Sequence, residues 1–225
     1  MKISCVIPAY NEDKRIGSVL EIASRHPLIS ETIVVDDGSQ DDTKDVAAKF
    51  ANVHLIVHPL NRGKNVAVCT GVRASSGECI LFLDADLLNL TEKNITDLIE
   101  PILSNSADVS ISLRGNTPFL WRLIGLDYIS GERVLPRQML TDHLNEISAL
   151  PGFGLEVFLN TIIVEKSFRI KIVSWPNVAS PYKYKKYGLW SGLRGDIRMM
   201  RNIFQTVSPL GVLRQIFLMR ILRVE

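Results

Sequence analysis

The chain has 225 residues, 46% hydrophobic and 22% charged. These are the proportions of a soluble globular protein with room for one well-buried domain and not for two ordinary ones. Three scattered cysteines, Cys5, Cys69 and Cys79, with no Cys-x-x-Cys and no histidine in ligand spacing, suggest neither a disulfide framework nor a zinc site and fit a reducing cytoplasm.

The formal net charge of +2 hides an asymmetry. From Lys166 onward twelve Lys and Arg face only Asp196 and Glu225, a local +10 that leaves −8 for the rest. Such a basic end calls for an anionic partner, a membrane surface or a phosphorylated acceptor before nucleic acid. Met1–Tyr10 has only a short apolar run with Pro8 inside it, so no signal peptide is expected.

Short apolar runs alternate with helix-period stretches through the first half. Ile3–Ile7 predicts a strand and Glu12–Arg25 a helix with Ile16, Val19, Leu20 and Ala23 on one face. Thr32–Val35 is a second strand, after which Asp41 or Asp42 caps a helix with Val46, Ala47 and Phe50 inward. Val53–Val57 is a third strand and Gly63–Ala74 a third helix. Cys79–Leu83, apolar on both faces, is a central strand of a parallel sheet. Thr91–Leu103 is helical and Asp108–Leu113 a fifth strand. In the second half Pro118–Arg133 and Arg137–His143 read as helical, Leu155 to Lys166 as a helix after Gly152-Phe153-Gly154, and Phe168–Val173 as a strand. Helical period returns from Gly188, with Leu193, Ile197, Met200 and Phe204 on one face and Arg194, Arg198 and Arg201 on another. Leu210–Val224 is apolar nearly all round. The order predicts an α/β fold, one domain with a mostly parallel sheet and helices on both faces, followed by a basic helical tail over 179–225.

In open α/β sheets ligands bind outside the carboxyl ends of the strands. Four polar clusters fall at those ends: Pro8-Ala9-Tyr10-Asn11-Glu12, Asp36-Asp37-Gly38-Ser39, Asn61-Arg62-Gly63-Lys64 and Asp84-Ala85-Asp86. The third opens a helix, where free N–H groups favour a phosphate.

With their flanking residues Val6-Ile7, Val34-Val35, Asp42-Thr43 and Phe82-Leu83, these motifs resemble, in order and spacing, glycosyltransferase family 2, which has the Rossmann-like GT-A fold. The resemblance covers roughly the first half of the chain. It implies a hexosyl-type transferase moving a sugar from a UDP- or GDP-linked donor to an acceptor, over a GT-A domain of residues 1–178. Residues 1–114 would form its nucleotide-sugar half and 115–178 its acceptor half. By the same resemblance Asp84 and Asp86 hold Mg²⁺ or Mn²⁺, with Asp86 the more direct ligand. Pro8, Ala9, Gly63 and Ala85 then line the donor site, Tyr10 stacks near the base, Glu12 meets the ribose, Asp37 accepts from a base N–H, and Lys64 lies near the diphosphate or sugar. A hard cation suits that chemistry, because the leaving diphosphate gains charge as the glycosidic bond breaks.

The acceptor half carries two further resemblances. Gly152-Phe153-Gly154-Leu155-Glu156 is similar to the family's acceptor-side motif, with Glu156 as base or as ligand for donor-sugar hydroxyls. Ser130-Gly131-Glu132-Arg133 is similar to an acceptor loop, so Gly131 and Arg133, with Arg114 and Arg137, are candidates for an acceptor phosphate. Relatives of the glucosyl-3-phosphoglycerate synthase type use a histidine as third metal ligand. The corresponding Val178-Ala179-Ser180-Pro181-Tyr182-Lys183 has none, which leaves open the third ligand and the choice of inverting or retaining chemistry. The acceptor is a polyprenyl phosphate or a soluble phosphorylated molecule. Leu210–Leu222 is too short and arginine-studded to span a bilayer and suits an interfacial helix at the inner membrane face, or a homodimer contact. Two other readings compete: an inactive nucleotide-sugar-binding protein, and a sugar-1-phosphate nucleotidyltransferase, which would open with a glycine-rich arginine loop where Pro8-Ala9-Tyr10-Asn11-Glu12 stands.

Overall fold

The computed structural model describes residues 1–117, 119–152, 154–181 and 200–224. Seven strands among them form one sheet: β1 (Ile3–Ala9), β2 (Glu31–Asp36), β3 (Val53–Val57), β4 (Cys79–Phe82), β5 (Val109–Arg114), β6 (Arg133–Pro136) and β7 (Ile170–Trp175). Their spatial order is β3-β2-β1-β4-β6-β5-β7. All neighbours pair in parallel except β6, which runs antiparallel to both β4 and β5.

Alternation decides which face each residue covers. Ile3, Cys5 and Ile7 of β1 join Leu81 of β4 on one side of the sheet, while Val6, Ile80 and Phe82 point to the other. The first side is covered by α1 (Ile16–Ala23) and α4 (Glu92–Leu103) through Ile16, Leu20, Leu98 and Ile99. The second is covered by α3 (Lys64–Ala74) and α8 (Gly154–Glu165) through Val68, Val72, Leu159 and Ile163. β4 is buried along its whole length, as its apolar run requires. Shorter helices α2 (Thr43–Ala47), α5 (Phe119–Ile124), α6 (Arg137–Thr141) and α7 (Leu144–Ala149) fill the connections.

Capping sets several boundaries. Thr91 is the N-cap of α4: its hydroxyl accepts from the Asn94 amide at 3.3 Å and the Asn94 side chain accepts from the Thr91 amide at 3.0 Å. The expected cap of α2 works differently. The Asp41 carboxylate accepts from the Thr43 amide at 3.0 Å, and Asp42 makes no side-chain cap bond.

One expectation is corrected. Pro118–Arg133 is not a long helix. It ends at Ile124, where Gly125 adopts φ +71, and the chain returns to the sheet as β6. Helix α9 (Pro209–Ile221), with Ser208 as N-cap, packs on α8, buries Gln215 and Met219, and donates from Gln215 Nε2 to Thr161 Oγ1 at 2.7 Å. Its outer face leaves Leu210, Leu213, Phe217 and Ile221 exposed, each by more than 60%. The expected helix positions Leu193, Arg194, Ile197 and Arg198 lie outside the described residues.

Candidate active site

Parallel pairing brings the ends of β1, β2, β3 and β4 to one edge of the sheet, with Ala9 opposite Asp36 and Val6 opposite Phe82. The chain segments leaving that edge are tied to one another. The Asn11 amide donates to Ser39 Oγ at 3.0 Å, the Gln40 amide to Asn11 Oδ1 at 2.9 Å, and the Glu12 amide to Thr43 Oγ1 at 2.8 Å. Gly38, at φ +71, lies so close to the backbone of Leu60 that a Cβ would sit 2.5 Å from its carbonyl carbon. Only glycine fits there. The first three motifs are therefore one interlocked surface.

That surface floors an open cleft of about 570 Å³, a size that suits a cofactor-sized ligand. The cleft brings together Pro8, Ala9, Tyr10, Glu12, Asp37, Gly63, Lys64, Asp84, Ala85 and Asp86, and adds Asn61 and Ala67. Tyr10 is 41% exposed at its rim.

Asp37 is more than a cleft wall. It is 2% exposed, and its carboxylate accepts from the Arg62 amide at 3.1 Å, the Gly63 amide at 2.7 Å and His58 Nδ1 at 2.7 Å. Three protein donors already occupy an acceptor with about four lone-pair positions. Its first task is to hold the turn that starts α3.

Lys64, the first residue of α3, donates to Asp84 Oδ1 at 2.9 Å and to Glu156 Oε1 at 3.2 Å. Burial opposes the charge on this ammonium, but the Asp84 and Glu156 carboxylates outweigh it and hold its pKa above the ordinary lysine range. Glu156 itself is buried in the first turn of α8. Burial likewise opposes ionisation of Asp84, and Lys64 and Arg114 overcome it, holding the carboxyl below its usual range.

Behind Asp84 lies a polar interior that the sequence only hinted at. Arg114 Nη1 donates to Glu132 Oε1 at 3.3 Å and to Ser180 Oγ at 2.6 Å, and stands 4.0 Å from Asp84 Oδ2. Its Nη2 lies 3.7 Å from Asp127 Oδ2. Burial pushes the Glu132 carboxyl up, against the pull of Arg114. Gly131 leans on Asp84: a Cβ there would lie 3.0 Å from both carboxylate oxygens.

The four candidate acceptor residues are placed as follows. Arg133 is fully buried, and its guanidinium donates to Ser130 O, Tyr128 O, Glu156 O and Asn160 Oδ1. A buried guanidinium with these partners braces α8 against β6 and does not reach a solvent phosphate. Arg137 follows β6 at the opposite edge of the sheet, donating to Ser75 Oγ at 3.0 Å. Arg114 and Gly131 are neighbours of Asp84, so they act first on the candidate metal ligand. Sequence reasoning passed over Asp127 and His58; the available signal for His58 was a polar residue directly following a strand that ends at the cleft edge.

The family model for Glycosyl transferase family 2 matches residues 4–150. The chain belongs to this family. An uncharacterized protein of Methanocaldococcus jannaschii is 32% identical over 77% of this chain and 73% of its own length. The dolichyl-phosphate beta-glucosyltransferase of Homo sapiens is 40% identical over 38% of this chain. The chain spans only about a third of the length of that enzyme and of other such curated relatives, 31% in the human case. Among solved structures, glucosyl-3-phosphoglycerate synthase of Mycobacterium tuberculosis, in complex with Mn²⁺, UDP and glucosyl-3-phosphoglycerate, superposes with a TM-score of 0.72. That match covers 91% of this chain and 79% of that one at 24% identity. The shared architecture is the GT-A fold.

Proposed function

We propose that this family 2 member transfers a sugar from a nucleotide diphosphate-sugar to a phosphate-bearing acceptor, with a divalent cation held by Asp84 and Asp86. One observation carries the reading: Lys64, Asp84 and Asp86 line a cleft built from four strand ends, and Lys64 ties that cleft to Glu156 in the small pocket beside it. An inactive binding protein would have no use for that constellation. A nucleotidyltransferase is disfavoured by the Pro8-Ala9-Tyr10-Asn11-Glu12 turn.

The donor set fits a hard cation. Among the described residues no group of three or more His, Cys, Asp and Glu is arranged to hold a metal. Mg²⁺ bound through one or two carboxylates plus substrate phosphates and water needs no such cage, and Asp84 and Asp86 supply that number. When bound, the cation stabilises charge developing on the leaving diphosphate. The relatives' names and ligands agree, with Mn²⁺ and UDP in the synthase complex.

The remaining steps belong to the chain. Lys64 places its ammonium beside the diphosphate, and the first turn of α3 offers its free N–H groups to the same charge. Tyr10 supplies an exposed aromatic face for the base, and Glu12 a carboxylate for the ribose. Glu156 is the carboxylate we assign to the acceptor hydroxyl, as the base that takes its proton.

For the acceptor, the names of the relatives point to dolichyl phosphate or 3-phosphoglycerate, which share a phosphate. The exposed Leu210, Leu213, Phe217 and Ile221, with Arg214 and Arg220 beside them, favour a lipid-borne phosphate at an anionic membrane face. No helix among the described residues is long and apolar enough to cross a membrane; the contact we assign to α9 is peripheral. Sedimentation with anionic and neutral vesicles tests this part; a dimer that dissociates on truncation after Ser208, with no vesicle binding, would make the face a homodimer contact. The activity itself is tested by a panel of UDP- and GDP-sugars with both acceptor types, scored by nucleotide diphosphate release with and without Mg²⁺ or Mn²⁺.

A further inference from the structure

His58 follows β3 and lies outside all four family motifs, yet it is 7% exposed and bonded through both ring nitrogens. Nδ1 meets Asp37 Oδ1 at 2.7 Å, and Nε2 meets Thr70 Oγ1, two turns into α3, at 3.0 Å. Its own amide donates to Asp36 O at 2.9 Å, which fixes the ring's base to the end of β2. The chain of contacts continues from Asp37 to the Arg62 and Gly63 amides, and the next residue is Lys64, whose ammonium meets Asp84 and Glu156.

We propose that His58 is a positioning residue of the donor site: by bonding Asp37 it fixes the carboxylate that holds the Arg62–Gly63 turn, and so sets where Lys64 and the first amides of α3 meet a diphosphate. The proposal rests on the glycosyltransferase reading of this cleft. Asp37 is the side chain that accepts both amides at the apex of the turn. Gly63 sits at φ +94 with open space around its α-carbon, so no side-chain packing fixes that residue. Its amide and that of Arg62 are both committed to Asp37. An unbraced Asp37 side chain would swing about χ1 and χ2 and carry the turn with it. A charge-assisted bond from His58 removes that freedom, and the second bond to Thr70 ties the same ring to the helix that the turn begins.

The geometry supplies its own control. In His58→Asn the shorter amide side chain would place its N–H₂ near the position of Nδ1 and keep the bond to Asp37. In His58→Gln the longer amide would reach instead toward the position of Nε2 and keep only the bond to Thr70. Both variants remove the same ring from the same buried site, so a role in packing alone affects them alike.

The experiment is calorimetric titration of UDP and of GDP, each with Mg²⁺, into the wild-type chain and both variants, alongside melting temperatures. The proposal expects His58→Gln to bind the nucleotide about tenfold more weakly, the factor that one lost charge-assisted hydrogen bond of modest net strength produces, and His58→Asn to recover most of that loss. Equal affinity in the two variants, whether both weakened or both unchanged, overturns it. If the wild-type chain binds neither nucleotide, the glycosyltransferase reading fails first, which separates the two failures. Amide hydrogen exchange of the wild-type protein gives an answer that needs no variant to fold. Arg62 and Gly63 amides should be protected, and free exchange at both overturns the proposal.

Discussion

The Lys64 ammonium and the Asp84 carboxylate are 2.9 Å apart, so the residue assigned to the diphosphate and a residue assigned to the metal hold each other. Arg114 stands on the far oxygen of the same carboxylate at 4.0 Å. On the proposed assignment, a cation and a diphosphate bound together would give Lys64 a new anionic partner and free Asp84 for the metal, so metal and nucleotide binding would be mutually dependent.

Replacing Lys64 with Met should separate the two. The variant loses the ammonium that meets the diphosphate, so turnover should fall on the order of a hundredfold or more. Removing the competing cation should at the same time strengthen Mn²⁺ binding in the absence of nucleotide. Paramagnetic titration of Mn²⁺ reads the second effect; weaker metal binding in Lys64→Met than in wild type would contradict it.

Gly131→Ala should disturb Asp84 with little change in stability. The added methyl would lie 3.0 Å from both carboxylate oxygens, and the carboxylate, one-quarter exposed, has room to shift away. A displacement of about an ångström in a group that orients a reaction costs up to roughly a hundredfold in rate. Turnover should drop tenfold to a hundredfold, as an order of magnitude, while the melting temperature stays near that of wild type. A large loss of stability with normal turnover in the folded fraction would refute the contact's role.

Stability should fall as pH drops below about 6.5, the ordinary value for histidine, because of His26. This ring is 3% exposed, its Nε2 donates to Glu92 O at 3.1 Å, and its Nδ1 accepts from the Leu28 amide at 3.3 Å. That is the neutral tautomer, and protonating Nδ1 would break the Leu28 bond. Burial lowers the folded-state pKa, so the unfolded chain takes up the proton first and the folded state loses stability from about pH 6.5 downward until the lowered value is passed. Glu31 and Asp41, held low by hydrogen bonds despite burial, lose their stabilising contributions only as pH falls below their ordinary values of 4.5 and 3.8. Thermal melts at pH 7.5 and 5.5 should therefore differ less in His26→Gln than in wild type. An equal difference in both would assign the pH effect elsewhere.

The parallel half of the fold was readable because each strand is apolar where it is buried and polar where it ends. Cys79–Phe82 shows its central place by having no polar residue at all, and Asp36, Asn61 and Asp84 mark the same sheet edge. β6 was not readable. It has four residues, begins with a fully buried arginine and ends in Pro136. Its place in the sheet is set by β4 and β5, and the partners that satisfy Arg133 lie at Tyr128, Ser130, Glu156 and Asn160. No local pattern encodes contacts spread over more than twenty residues. The same holds for the site. The motif residues announced a nucleotide cleft, but that Asp37 is already bonded by three protein donors, and that Arg114 and Gly131 serve Asp84, depends on where distant segments cross.

The central claim is that Asp84 and Asp86 hold a divalent cation on a nucleotide diphosphate. Titrating UDP and GDP into the protein with Mg²⁺ and with EDTA, for wild type and Asp86→Asn, tests it directly. An amide is a neutral, poorer ligand for a hard cation. At least one nucleotide should bind wild type far more tightly with Mg²⁺ than with EDTA, and Asp86→Asn should lose most of that difference, on the order of tenfold or more in affinity. Equal affinity with Mg²⁺ and EDTA in the wild-type protein, or an undiminished metal effect in Asp86→Asn, would contradict the assignment.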